Sequence, residues 1–232
     1  MSTETLTTAL EILETRPMNS AWPDWLRQAS AQASVPQDWW HWGPPLSLQD
    51  PEMGTIQNDF SRLTHRCRNS KKDPLFLATE NIPRRVAIDR TAGFGGDAVF
   101  LASLGFEVHA WERHPSVFVF LKETEQWAHR QGFRLTAHRG EAPDQNLRAE
   151  LVLLDPMFEE TGSAKPSKKM QWLRSQAAPW SQKEWDDYLN LARRQAKSRV
   201  VLKAPPSTDL PGALPTSQIE GQSFSWQILK PF

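Results

Sequence analysis

The segment Asp155-Pro156-Met157-Phe158 places an acid, a proline and an aromatic residue directly after the apolar run at residues 151–154. These residue types can hold an amino group attached to an aromatic base. Such an amine is a poor nucleophile, because its lone pair is delocalised into the ring. A carboxylate and the Pro156 carbonyl that accept its two N–H bonds favour loss of that delocalisation, while Phe158 stacks an unpaired or flipped base. On its own, however, the tetrapeptide is an ordinary turn, so its meaning depends on what precedes it.

A glycine-rich turn follows the apolar run at residues 86–88. It comprises Asp89 to Asp97, with glycine at 93, 95 and 96. Glycines let the backbone approach a ligand closely, and the N-terminus of the helix that follows presents free N–H groups. Gly93, Gly95 and Ala98 also satisfy the dinucleotide pattern GxGxx(G/A), so a dehydrogenase competes with other nucleotide-binding readings here. A tight turn with a purely structural role is the third alternative.

Glu112 ends the second predicted strand, where an acid can accept both hydroxyls of a ribose. That suits adenosine in a nicotinamide cofactor or in S-adenosylmethionine, although a surface glutamate would look the same. Residues 138–141 end the third strand and could flank an adenine ring, a signal of low specificity. The acid–proline–aromatic corner separates the competitors, because a dehydrogenase has no need of it. We therefore predict an S-adenosylmethionine-dependent methyltransferase that modifies the exocyclic amine of a base.

Strands and helices alternate from residue 85 onwards, which predicts a mainly parallel, doubly wound, Rossmann-like sheet. Strands are predicted at 86–88, 106–112, 133–138, 151–154, 200–202, near 219 and at 224–229, and helices at 97–104, 115–131 and from a capping box at Ser181 and Glu184 to about 197. In such sheets ligands bind at the carboxyl ends of the strands, which is where the candidate residues lie.

We divide the chain into a tryptophan-rich appendage at 1–50, a connecting segment at 51–84 and the Rossmann-like domain at 85–232. The appendage holds five of the eleven tryptophans, at positions 22, 25, 39, 40 and 42. Helices are predicted around Leu6, Leu10 and Leu13 and at 23–33, and residues 42–51 are turn-rich. We expect the tryptophans to form a hydrophobic cluster against the main domain, in preference to stacking bases.

The amino-acid composition limits which cofactors, macromolecules and cellular locations are expected. There are 27 basic and 27 acidic residues and a single cysteine, Cys67, which excludes an intramolecular disulfide. The acidic N-terminus does not resemble a signal peptide and there is no long apolar run, so we expect a cytoplasmic protein without a membrane segment. The neutral balance gives no global argument for nucleic acid. Metal-binding and Walker motifs are absent and the six histidines are scattered, so no metal is expected.

Two local basic segments are the candidates for nucleic-acid contact, with solvated faces as the plain alternative. They are Arg62, His65, Arg66, Arg68, Lys71 and Lys72, and then Lys165, Lys168, Lys169 and Arg174. Lys203 follows the fifth strand. It either contacts a phosphate or base of the substrate or is a surface lysine, and the sequence leaves both alternatives open.

From Met53 to Pro205 the chain resembles the RsmJ type of bacterial 16S rRNA (guanine-N2)-methyltransferase. The resemblance rests on four segments: Asn58-Asp59-Phe60 with His65-Arg66; DRTAGFGGDAVFLASLG from Asp89; WERHP from Trp111; and LLDPMF from Leu153, followed by Lys168-Lys169-Met170. Methionine after Asp-Pro, where most amino-methyltransferases have a second proline, is itself a mark of that family.

The resemblance implies a class I methyltransferase fold with an antiparallel last strand, S-adenosylmethionine as cofactor, and a guanine of 16S rRNA in the small ribosomal subunit as target. Carried over by position, cofactor contacts fall on Gly96-Asp97, Glu112-Arg113, Gly140-Glu141 and Asp155. The full set of predicted cofactor residues is Asp89, Thr91, Ala92, Gly93, Gly95, Gly96, Asp97, Glu112, Arg113, Gly140, Glu141 and Asp155. The predicted substrate contacts are Arg62, Arg66, Arg68, Lys168, Lys169 and Lys203.

Alternative functions stay open at the level of sequence. One is an amino-methyltransferase acting on adenine or on a protein glutamine. The other is a catalytically silent Rossmann module that binds RNA or a protein partner. The presence of both Asp155 and Glu112 argues against this second alternative. The oligomeric state is not predicted.

Overall fold

The computed structural model describes residues 23–33, 35–43, 45–143, 147–156, 167–176, 181–205, 215–221 and 224–232. The predicted helix around Leu6 to Leu13 lies outside these residues, as do Trp22, Met157, Phe158 and Lys165.

The elements ahead of the main sheet are short. In chain order they are α1 (Asp24–Ser30), β1 (Trp40–His41), β2 (Ser47–Asp50), β3 (Gly54–Gln57), α2 (Phe60–Arg68) and α3 (Pro74–Ala78), with single 3-10 turns at Gln37–Trp39 and Ser70–Lys72. Leu48 on β2 lies opposite both Trp40 and Ile56, and all three are buried. The Trp40 ring centroid lies 5.2 Å from that of Phe120 in the main domain. The predicted tryptophan cluster against the main domain is therefore confirmed for Trp40.

The boundary placed at residue 50 falls inside a hairpin, because β2 and β3 pair along their whole length. The Asp50 carboxylate accepts hydrogen bonds from the backbone N–H groups of Glu52 and Met53, which closes a tight turn where a linker was expected. The prediction that residues 42–51 are turn-rich is also wrong in part, because Ser47–Asp50 is a strand. Leu46 and Leu48 are both buried with one residue between them, the spacing of one strand face.

The main domain alternates strands and helices as predicted. Its elements are β4 (Val86–Asp89), α4 (Gly96–Ser103), β5 (Glu107–Glu112), α5 (Pro115–Arg130), β6 (Leu135–Arg139), β7 (Ala149–Leu154), α6 (Lys168–Gln176), α7 (Gln182–Gln195), β8 (Ala196–Ala204), β9 (Ser217–Glu220) and β10 (Ser225–Leu229). Within the described residues the strands form a seven-stranded sheet in the order β6-β5-β4-β7-β8-β10-β9. In that sheet β10 is the one strand that points opposite to the other six, and it pairs antiparallel with β8 and β9. The predicted fold class is confirmed, including the antiparallel final strand.

The strand order reverses between β4 and β7, which are adjacent and parallel. All six residues of β7 are buried, as expected for a central strand covered on both faces. At such a switch point the two strand ends diverge into separate loops and leave a crevice for a ligand. The ends are Asp89 and Asp155, two of the predicted site residues.

Candidate active site

Asp89 and Asp155 end neighbouring strands and are linked through Thr91. The Thr91 hydroxyl oxygen accepts a 2.6 Å hydrogen bond from the backbone N–H of Asp155. The backbone N–H of Thr91 donates to the Asp89 carboxylate at 3.0 Å. Asp89 is only 1% exposed, and burial raises its pKa well above the ordinary value. Thr91 thus joins the glycine turn to the first residue of the predicted catalytic segment.

The glycine turn needs glycine for a steric reason as well as a conformational one. Gly93 and Gly95 have φ of +54° and +83°, in the left-handed region. A Cβ on Gly95 would lie 2.8 Å from Leu121 Cδ1 and 3.0 Å from Thr124 Cγ2, both on α5. The turn therefore packs against α5 at van der Waals distance, while α4 begins at Gly96 beside the switch point.

Glu112 lies between the glycine turn and the loop after β6. One carboxylate oxygen accepts from the backbone N–H of Gly93 at 3.1 Å, and the other from that of His114 at 2.6 Å. The Glu112 carbonyl accepts from the N–H of Gly140 at 2.9 Å. Burial raises the pKa of Glu112, and the backbone donors of His114, Gly93 and Arg113, with the Arg113 charge, lower it by less. A carboxylate has about four acceptor sites, so these donors do not use all of them.

The remaining predicted cofactor residues surround the same crevice. Ala92 is buried and its N–H donates to the Trp111 carbonyl at 3.0 Å, which holds the turn against β5. Arg113 and Glu141 are exposed, just beyond the ends of β5 and β6. Gly140 has φ of +97°.

A network of alternating charges crosses the switch point. The Lys203 ammonium lies 2.8 Å from Asp155 Oδ2 and 3.3 Å from Asp97 Oδ2. Asp97 Oδ1 accepts from the Arg66 guanidinium at 2.6 Å, and Arg66 also pairs with Asp73 at 2.6 Å. Five elements, α2, the start of α3, α4, β8 and the end of β7, therefore meet through their charged side chains.

The pKa values of this network follow from burial and pairing. Burial lowers the pKa of Lys203, but Asp155 and Asp97 raise it by more, so it stays above its ordinary value. For Asp97, burial raises the pKa, while Lys203 and Arg66 lower it further than burial lifts it. Burial raises the pKa of Asp155 and Lys203 opposes this, with a net rise. The two cations thus hold Asp97 as a carboxylate at any ordinary pH.

The predicted substrate residues divide into two groups. Arg62, Arg68 and Lys168 are exposed. Arg66 and Lys203 instead point into the charge network, so their placement differs from the free surface cations expected from sequence.

Lys169 also differs from a free surface cation. Lys168 and Lys169 open α6. The Lys169 ammonium lies 3.2 Å from Asn58 Oδ1 and 3.9 Å from the Phe94 ring centroid. Helical geometry turns adjacent residues about 100° apart, which directs one lysine outward and the other inward.

Sequence reasoning did not single out Asp73 or the role of Asn58. Asp73 caps α3 by accepting from the Leu75 N–H at 2.9 Å, and the Asp-Pro start of that helix was an available signal. Buried Asn58 donates to Glu123 at 2.8 Å, and Glu123 accepts from the Leu46 N–H at 2.6 Å. These contacts join the N-terminal elements to α5.

The crevice fits an adenosyl cofactor. Glu112, at the end of β5, offers carboxylate acceptors for ribose hydroxyls next to the glycine turn, whose Gly93 N–H donates to it. Across the described ranges, no three His, Cys, Asp or Glu side chains gather closely enough to hold a metal ion. In the same part of the chain, no helix has the length and apolar character to cross a membrane.

The sheet order, the glycine turn with Glu112, and Asp155 at the switch point define an α/β protein of the class I S-adenosylmethionine-dependent methyltransferases. Residues 45–230 match the family model described as putative SAM-dependent methyltransferase, and the chain belongs to that family. S-adenosylmethionine is accordingly its cofactor, as predicted.

Named relatives and a solved structure agree with this. A protein of Magnetococcus marinus named Ribosomal RNA small subunit methyltransferase J is 33% identical over 153 residues, 61% of this chain and 60% of that protein. One of the same name from Neisseria meningitidis serogroup C is 33% identical over 162 residues, 62% and 63% of the two chains. The chain thus matches about three fifths of these relatives' length. A crystal structure of a SAM-dependent methyltransferase from Neisseria gonorrhoeae has the same fold, with a TM-score of 0.67 at 22% identity, covering 92% of this chain and 94% of that one.

Proposed function

We propose that the protein transfers the methyl group of S-adenosylmethionine to the exocyclic N2 amine of a guanine in 16S rRNA of the small ribosomal subunit, in the cytoplasm. The observation that carries the proposal is Asp155-Pro156 at the end of β7, hydrogen-bonded through Thr91 to the glycine turn. An acceptor for an amine therefore adjoins the predicted cofactor loop. The relatives named Ribosomal RNA small subunit methyltransferase J support the choice of RNA.

The side chains present suit a direct transfer. When bound, S-adenosylmethionine supplies an electrophilic methyl group on a sulfonium centre. Asp155 and the Pro156 carbonyl accept the two N–H bonds of the amine, which directs the nitrogen lone pair towards the methyl carbon. The cofactor would supply the methyl group and retain the sulfur as leaving group, and Asp155 would take one N–H proton from the amine. Catalysis consists mainly of orientation and proximity.

Exposed cations close to the crevice support an RNA substrate. The Lys169 ammonium lies 3.2 Å from Asn58 Oδ1, two residues ahead of α2, and α2 carries Arg62, so the two basic segments are neighbours in space. Arg66 on the same helix as Arg62 reaches Asp97 at the switch point. The exposed residues Arg62, Arg68 and Lys168 are the proposed phosphate contacts. A protein with zero net charge can hold RNA in this way if its cations gather at one place.

Nucleoside mass spectrometry of 16S rRNA from a strain lacking the gene tests the proposal. One N2-methylguanosine should be lost, restored by the wild-type chain and not restored by Asp155→Ala. Purified small subunits from that strain should accept labelled methyl groups in vitro. Loss of N6-methyladenosine would contradict the guanine assignment, and a lost methylglutamine would contradict the RNA substrate. Unchanged RNA and protein would indicate a catalytically silent module.

A further inference from the structure

Lys203 occupies a closed position between two carboxylates and two aromatic rings. Its ammonium lies 2.8 Å from Asp155 Oδ2 and 3.3 Å from Asp97 Oδ2. It also lies 4.8 Å from the Phe224 ring centroid and 5.3 Å from that of Trp226. The side chain is 23% exposed. A cation held by two carboxylates has little net attraction left for a phosphate group.

The sheet register explains why this lysine reaches Asp155. Leu154 pairs with Leu202 in the parallel strands β7 and β8, so Asp155 and Lys203 are the next residues along. On the other side of β8, Lys203 pairs with Trp226 of β10. The contact is thus set by backbone pairing on both sides.

The charges that face Asp155 come from every neighbouring element. Lys203 from β8, Asp97 near the start of α4 and Arg66 from α2 all affect the pKa of Asp155. Asp155 in turn raises the pKa of Asp89, at the end of β4. Arg66 is already shared between Asp97 and Asp73. Lys203 is therefore the one cation, among the described residues, with a hydrogen bond to Asp155 itself.

We propose that Lys203 is a positioning residue for methyl transfer, which keeps Asp155 ionised and fixes its Oδ2 so that Oδ1 accepts from the substrate amine. The proposal rests on the proposed function, because it assigns Asp155 the role of amine acceptor. A protonated Asp155 would offer an O–H where an acceptor is needed and could not take the departing proton. The Lys203 proton stays on nitrogen throughout, so the lysine itself exchanges nothing with substrate.

The test compares Lys203→Met with Lys203→Arg, using Lys230→Met, at an exposed position, as the matched control. The kcat of methyl transfer should fall as the pH is lowered and Asp155 becomes protonated. Without Lys203, burial and Asp97 raise the pKa of Asp155 with less opposition, so the acid limb of kcat moves to higher pH. A limb displaced by one pH unit lowers kcat about tenfold at pH values below it. Lys203→Arg should recover most of this, and Lys230→Met should match the wild type.

A second readout does not need turnover. The carboxyl ¹³C resonance of Asp155, assigned by its absence in Asp155→Asn, should titrate at a higher pH in Lys203→Met than in the wild-type chain. RNA affinity and its salt dependence should stay within about twofold of wild type, because no phosphate contact is removed. If circular dichroism shows that Lys203→Met does not fold, Lys203→Gln replaces it in the same comparison.

The alternative role gives the opposite pattern. If Lys203 contacts RNA phosphate, its removal weakens RNA binding and lowers the slope of log K against log salt by about one. That result, with an unchanged acid limb and carboxyl titration, overturns the proposal. If the wild-type chain fails to methylate rRNA, the proposed function fails, while the ¹³C titration still decides whether Lys203 controls the ionisation of Asp155.

Discussion

The hydroxyl oxygen of Thr91 accepts a 2.6 Å hydrogen bond from the backbone N–H of Asp155, across 64 positions of sequence. This contact joins the loop after β4 to the loop after β7. The first loop carries the glycine turn and the second carries the predicted amine acceptor. The hydrogen bond therefore helps to fix the distance between these two parts of the site. A reaction that depends on orientation needs such a fixed distance between cofactor and acceptor.

Cofactor binding should depend on Glu112. We expect Glu112→Ala to weaken S-adenosylmethionine and S-adenosylhomocysteine binding by about 1–3 kcal/mol in calorimetry, because a partly buried acceptor is lost. Glu107→Ala, at the opposite end of β5, should leave affinity unchanged. Tight binding of NAD to the wild-type chain would argue against an S-adenosylmethionine site in this crevice.

Methyl transfer should depend on the segment from Asp155 to Phe158. Asp155→Ala and Phe158→Ala are both expected to abolish turnover while leaving the circular dichroism spectrum intact. Phe158→Ala is the cleaner test, because Asp155 is also a predicted cofactor contact. Phe232→Ala, at an exposed position, serves as the control. Wild-type turnover in Phe158→Ala would exclude base stacking by this residue.

Two glycines separate backbone strain from steric overlap. Gly132 has φ of +77° and open space where an added methyl group would lie, whereas Gly95 has φ of +83° and two side chains of α5 within 3.0 Å of that position. Gly132→Ala should lower the free energy of unfolding by about 1–2 kcal/mol through the left-handed backbone alone. Gly95→Ala should lose about 1–3 kcal/mol more through overpacking. Urea denaturation measures both, and equal losses would show that α5 yields to the added methyl.

Lys169 should leave a signature in the pH dependence of stability. Burial lowers its pKa from 10.5 to about 8, with Glu123 and Asp59 opposing the shift. Between pH 8 and 10.5 the unfolded chain then binds a proton that the folded chain lacks, so this residue makes stability rise with pH across that window. Below the window both states are protonated and the contribution is constant.

The measurement is urea unfolding of the wild type and Lys169→Met at pH 7.5, 8.5 and 9.5. The wild type should gain stability relative to the variant as pH rises, since titrations common to both cancel in the difference. A constant difference would mean that the Lys169 pKa is not depressed.

RNA affinity should depend on the exposed cations at the crevice. Each of Arg62→Ala, Arg68→Ala and Lys168→Ala should reduce the slope of log K against log salt by roughly one, as loss of one phosphate contact predicts. Cofactor affinity should not change. Lys183→Ala, an exposed lysine at the start of α7, is the control. Unchanged slopes in all three variants would remove this surface from the RNA interface.

Much of the fold could be predicted because it depends on local patterns. The apolar run at β7, the glycine turn and the Ser181–Glu184 capping box each encode an element within a few residues. The strand at Ser47–Asp50 was not predicted, because a hairpin turn and a linker have the same composition. Helix α2 was missed although Phe60, Leu63 and Cys67 have helical spacing and pack against the main core. Its arginines drew the interpretation towards nucleic-acid contact instead.

The sequence by itself determined the class of protein and the acids at the ends of three strands, Asp89, Glu112 and Asp155. Only the tertiary structure decided which cations meet those acids. Lys203 is 48 positions from Asp155 and 106 from Asp97. They meet because the strand order reverses at β4, which brings the ends of β7 and β8 beside the start of α4. A local pattern specifies which face of an element is buried, but long polar side chains pair according to topology and register, and these are set by the whole chain.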